Sequence, residues 1–82
     1  MTARVYVSFK QTVLDPQGQT IRSALVSLGH TSIEAVRQGK FFEIKLAPGT
    51  DRARAASEIE EIAREVLANP VIEEYRVEFT GD

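Results

Sequence analysis

An 82-residue chain with 43 % hydrophobic and 27 % charged side chains makes one globular domain, too short for a second core and too apolar for disorder. Its formal net charge of −2 gives no long-range attraction to nucleic-acid backbones or anionic lipid. Without cysteine it has no disulfide, thiolate nucleophile or thiolate metal site, and no apolar run approaches the ~18 residues of a transmembrane helix.

The opening residues Met1-Thr2-Ala3-Arg4-Val5-Tyr6 enter strand-like alternation directly and lack a signal peptide's apolar core, so a cytoplasmic protein is expected. From Arg4 to Lys10, Val5, Val7 and Phe9 fall on one face and Arg4, Tyr6, Ser8 and Lys10 on the other, which predicts a strand covered on one side. Asp15-Pro16 is a helix start, because the carboxylate caps free amides and proline suits the first helical position. Ile21, Ala24, Leu25 and Leu28 follow as an apolar stripe, and Gly29 closes the helix as a left-handed cap.

Ile33 to Arg37 reads as a short strand, and Gln38-Gly39 as a tight hairpin turn into a third strand, Lys40 to Leu46. In that strand Phe42, Ile44 and Leu46 face inward, and Phe41, Glu43 and Lys45 outward. Pro48-Gly49 breaks it, and Thr50 or Asp51 caps a second helix. Its buried stripe is Ala56, Ile59, Ile62, Ala63, Val66 and Leu67, with Arg54 placed to pair with Glu58. Asn69-Pro70 stops the helix, and a last strand runs from about Glu73 to Phe79 with Tyr75, Val77 and Phe79 inward.

The order is β-α-β-β-α-β over one domain, residues 1–82. One-faced strands and one-striped helices predict an α+β two-layer sandwich: a four-stranded antiparallel sheet with both helices on one face, ferredoxin-like or a close relative. That topology brings the Asp15-Pro16-Gln17-Gly18 turn, Gln38-Gly39 and Asn69-Pro70 to one pole. The Gly29–Ser32 and Ala47–Asp51 loops and both termini go to the other. A domain this small buries only roughly 60–65 % of its unfolded surface, which favours association.

Taken one at a time, the polar residues of the shared pole have local jobs: Asp15 caps, Gly39 turns, Asn69 precedes proline. Taken together, Asp15, Gln17, Gly18, Arg37, Gly39, Lys40, Asn69 and Pro70 form a candidate docking surface for a partner. Tyr6 and Phe41 on the open sheet face are candidates for self-association, against the plainer reading of two exposed aromatics on a solvated face. No catalytic, cofactor-binding or metal-binding set is expected. His30 is the only histidine and sits after a helix cap, where charge complements the helix end. Glu58, Glu61 and Glu65 have the spacing of a solvated helix face, and so thin a domain offers no shielded pocket for a general acid and base. RNA-recognition domains share this topology, but Gly39-Lys40-Phe41-Phe42-Glu43-Ile44 lacks their glycine–aromatic motif and puts a carboxylate on the stacking platform.

Five segments together resemble the small PurS subunit of bacterial phosphoribosylformylglycinamidine synthase. They are Val5-Tyr6-Val7, Leu14-Asp15-Pro16-Gln17-Gly18, Ala24-Leu25 through Leu28-Gly29, Val36-Arg37-Gln38-Gly39-Lys40, and Leu67-Ala68-Asn69-Pro70-Val71-Ile72-Glu73-Glu74-Tyr75. They follow one order from residue 5 to residue 75, so the likeness extends over nearly the whole chain. The resemblance implies a role in de novo purine synthesis, where formylglycinamide ribonucleotide, glutamine and ATP give formylglycinamidine ribonucleotide, glutamate, ADP and phosphate. It implies that ATP and magnesium belong to a large synthetase subunit and the cysteine nucleophile to a glutaminase subunit. This chain would then be a noncatalytic subunit of the ligase, bridging those two and supporting ammonia transfer, as a homodimer or dimer of dimers. The composition agrees on one point: a cysteine-free chain is no glutaminase. A free-standing small-molecule-binding regulatory module of ferredoxin-like fold is the alternative.

Overall fold

The computed structural model describes residues 1–81. The central strand, β1 (Thr2–Phe9), is flanked by β2 (Gly39–Lys45) and β3 (Glu73–Thr80), both antiparallel to it. Val5 lies between Phe42 and Val77, and Tyr6 between Phe41 and Arg76, so the alternation in the sequence sets the two faces as expected. One face is covered by α2 (Arg52–Ile62), which continues through a π-helical turn (Ala63–Leu67). Ala3, Val5 and Val7 of the sheet meet Ile59, Ala63 and Ala68 in the core. Phe42, Ile44, Leu46, Tyr75, Val77 and Phe79 pack partly buried around them. The Tyr75 hydroxyl donates to Glu60 Oε1 at 2.8 Å, tying β3 to α2. That bond, with partial desolvation, holds the phenol above its ordinary pKa of 10.0.

Both helices start as their capping residues dictate. Asp51 accepts from the Arg54 amide ahead of α2. Asp15 precedes α1 (Pro16–Ser27), with Pro16 at the first helical position and Gly29 beyond its end at φ 101°.

Strand count, the Gln38-Gly39 turn and the placement of α1 differ from expectation. The described residues form three strands rather than four: residues 33–38 join no ladder and run back along α1, with Arg22 Nε donating to the Ile33 carbonyl at 3.1 Å. Gln38-Gly39 makes no tight turn, because Gly39 lacks the positive φ that a two-residue hairpin requires and begins β2 opposite Ser8. Nor does α1 lie on the sheet. Gly18 is its only buried residue, and Ile21 and Leu28 are 39 % and 75 % exposed. Helix and return segment form an arm tethered at its base, so the Gly29–Ser32 loop lies at the arm's tip. The molecule measures 51 × 28 × 14 Å, whereas eight strand residues span only about 26 Å.

The stripe of α2 is also shifted at its end. The Ala68 amide donates to the Ala63 carbonyl, five residues back, and the extra residue in that turn swings Val66 outward to 74 % exposure while Ala68 goes inward. Arg54 and Glu58 form no ion pair.

Candidate functional site

The three junctions meet at one pole, as the topology predicts. The Lys10 amide donates to the Ile72 carbonyl at 2.9 Å, joining the end of β1 to the start of β3. Gln17, Gln38, Gly39, Lys40 and Glu73 line one cleft of about 130 Å³ beside Val7, Ser8 and Phe9.

Asp15 is the structural centre of this pole. It is buried, and each carboxylate oxygen has its own donor: Oδ1 takes the Gly18 amide at 3.0 Å and Oδ2 the Gln38 amide at 2.7 Å. These bonds, the Gln38 one foremost, hold its pKa below the ordinary 3.8, and Arg37 adds to the effect. Gly18 has no room for a side chain, since a Cβ there would lie 2.2 Å from the Val36 carbonyl oxygen. Arg37 Nη2 donates to the carbonyls of Lys10 at 2.8 Å and Val13 at 3.0 Å, and lies 3.4 Å from that of Phe9. Gly39 is packed against β1, where a Cβ would meet the Val7 carbonyl oxygen at 2.6 Å. Asn69 is equally engaged: its side chain accepts from the Val71 amide, its carbonyl takes the Ile72 and Glu73 amides, and its own amide donates to Glu73 Oε1.

Asp15, Gly18, Arg37, Gly39 and Asn69 therefore satisfy internal bonds or fill tight space. Gln17, Lys40 and Pro70 stay at the surface. Gln38 Nε2 donates to Gln17 Oε1 at 2.8 Å, and Lys40 Nζ lies 3.9 Å from Glu73 Oε2. Sequence reasoning missed the apolar part of this pole, where Val71 is 77 % exposed next to Ile72 in the chain and Val66 is exposed at the end of the preceding helix. No periodicity marks an apolar residue that follows a proline stop, so only the folded turn reveals it.

On the open sheet face Tyr6 and Phe41 stack with centroids 5.4 Å apart, and the Arg76 guanidinium sits 4.3 Å from the Tyr6 centroid. Chemically, the pole offers amides, the Lys40 ammonium beside the Glu73 carboxylate, and the Asp15 carboxylate already bonded to backbone amides. Among the described residues, no three His, Cys, Asp or Glu side chains gather closely enough to hold a metal ion, and no helix is long and apolar enough to cross a membrane.

Residues 2–81 match the family model PurS, phosphoribosylformylglycinamidine (FGAM) synthase. The PurS subunit of phosphoribosylformylglycinamidine synthase from Mycobacterium leprae is 47 % identical over 75 residues, 92 % of this chain and 90 % of that protein. Among solved structures, Methanocaldococcus jannaschii PurS, one of the subunits of formylglycinamide ribonucleotide amidotransferase in the purine biosynthetic pathway, superposes with a TM-score of 0.82 at 34 % identity, covering 94 % of this chain and 92 % of that one. A chain of PurLQS from Thermotoga maritima superposes with a TM-score of 0.84 at 27 % identity, covering 94 % and 93 %. A match along almost the whole chain, in sequence and in fold, makes this protein a member of the PurS family, a subunit of phosphoribosylformylglycinamidine synthase in purine biosynthesis.

Proposed function

We propose that this chain is the noncatalytic subunit of the complex: it bridges the synthetase and glutaminase subunits and holds their active sites in register for ammonia transfer. The observation that carries this reading is the state of the pole. Asp15, Arg37 and Asn69 are engaged in fixing backbone, while Gln17, Lys40, Pro70, Val66 and Val71 are exposed. A surface whose backbone is pinned by side-chain bonds and whose remaining side chains are exposed to solvent suits docking rather than turnover. Ammonia released into water at neutral pH is mostly protonated and no longer nucleophilic, so two centres that share it need a fixed, shielded junction. ATP and magnesium are assigned to the large subunit and the nucleophilic cysteine to the glutaminase subunit; this chain has no cysteine of its own.

The working unit is a homodimer, and what one chain leaves uncovered supports this. Phe42 and Ile44 of β2 are only partly buried, and β2 has a free outer edge. The arm carries what is missing there: a helix with the apolar stripe Ile21, Ala24, Leu25 and Leu28, and a strand-like segment, 33–37, that has no ladder. A second copy's arm laid over β2 completes a four-stranded, ferredoxin-like sandwich in trans. Phe41, 54 % exposed and stacked on Tyr6, then serves to pair dimers through the open face.

Reconstitution tests the bridging role. Glutamine-dependent synthesis is expected only when this chain joins the two larger subunits, whereas ammonia-dependent synthesis should need it far less. Turnover of glutamine or nucleotide by the purified chain alone, or full glutamine-dependent activity without it, contradicts the reading.

A further inference from the structure

We infer that Asp15 and Arg37 are positioning residues that hold the Gln38-Gly39 junction open and so direct the arm to a second copy instead of the chain's own sheet. This rests on the homodimer reading above. Gln38-Gly39 stands between two strand-like runs, the local pattern of a hairpin. A closed hairpin would lay residues 33–37 beside β2 of the same chain and bring α1 down over the same sheet.

The residues on either side of the junction are fastened against that closure. Asp15 Oδ2 takes the Gln38 amide at 2.7 Å, and Arg37 Nη2 reaches the Lys10 and Val13 carbonyls at 2.8 and 3.0 Å. Both anchors belong to the link between β1 and α1, the base of the arm. The Gln17–Gln38 side-chain bond reinforces them, and the Val36 carbonyl lies flush against Gly18. In a closed hairpin residue 37 would move to the far side of β2, about two strand spacings (~10 Å) from β1. That movement withdraws the Gln38 amide from Asp15 and the guanidinium from its carbonyls. Both contacts are charge-assisted, and both exist only while the junction is straight. Hinge residues that prefer the straight form are what arm exchange requires.

Two substitutions separate the hinge from the helix cap. Asp15→Asn keeps a side-chain oxygen for the Gly18 amide but loses the second acceptor, and Arg37→Met keeps length without donors. Sedimentation across a dilution series reads the monomer–dimer dissociation constant, and hydrogen exchange reads residues 33–38. Each variant is expected to raise that constant by about tenfold or more. Together they should give a monomer in which residues 33–37 exchange slowly, as a paired strand does. Variants that dimerise as tightly as a dimeric parent would overturn the hinge role and leave the homodimer standing. A monomeric parent would overturn both. Arg37→Met leaves the cap untouched, so it decides the matter even where Asp15→Asn costs the fold.

Discussion

Gly18 stands in the first turn of a helix, where alanine is ordinarily the better residue by about 1 kcal/mol. Here the order is reversed, because a methyl group would press on the Val36 carbonyl oxygen, a backbone atom that can move only with its segment. Gly18→Ala is expected to cost about 1–3 kcal/mol, seen as a lower midpoint in thermal unfolding. At the neighbouring Asp15 the folded-state pKa is depressed, so its charge stabilises the fold fully above the ordinary 3.8 and progressively less as pH falls through the lowered value. The acid limb of a stability–pH profile should therefore be shallower in Asp15→Asn than in the parent; identical limbs would remove Asp15 from the account. The sequence disclosed half of this residue. Its helix cap is a local matter of Asp followed by Pro, whereas its bond to the Gln38 amide, 23 positions away, depends on where the chain returns.

At the scale of elements, local pattern and tertiary outcome part company in two places. Residues 33–37 have the composition of a strand and α1 has an apolar stripe, yet neither finds its partner within the chain. Periodicity identifies which face wants covering and is silent on which molecule covers it. The end of α2 differs for another reason: helical spacing assumes 3.6 residues per turn, and the π turn inserts one more, so Val66 leaves the stripe that Ile59 and Ala63 begin. Faces set by strand alternation, in contrast, hold at Val5, Val7, Phe42, Ile44, Tyr75, Val77 and Phe79, because period two leaves no angular drift to accumulate, whereas Phe9 at the end of β1 lies outside that core. Ile21 and Leu28 touch nothing in the chain's own core, so Ile21→Asp with Leu28→Asp should leave α2 and the sheet folded by far-ultraviolet circular dichroism. The same pair should weaken dimerisation by about 3–6 kcal/mol, the sum of two lost apolar burials. An unchanged sedimentation profile would take α1 out of the interface.

The whole molecule is too extended to be finished by itself. A closed domain of 82 residues has a radius of gyration of roughly 12 Å, and this chain has 16.3 Å. Its small core of Ala3, Val5, Val7, Ile59, Ala63 and Ala68 leaves the rim of one sheet face and a whole helix unsatisfied. The pole where three junctions converge was legible in advance, since strand direction and crossover hand determine which loops are neighbours. Which of its residues are free to touch a partner was not, because a hydrogen bond to backbone is indistinguishable in sequence from a side chain left for docking. Arg37 is the clearest case, reading as a surface cation and serving as a clamp on carbonyls. Small-angle X-ray scattering from the purified protein at micromolar concentration tests completion by a second copy most directly. Forward scattering equivalent to twice the 9.1 kDa chain for the dimer, or four times for paired dimers, is the expected result. Forward scattering of one chain, with a radius of gyration near 12 Å, would mean that the arm folds back on its own sheet and would contradict the account.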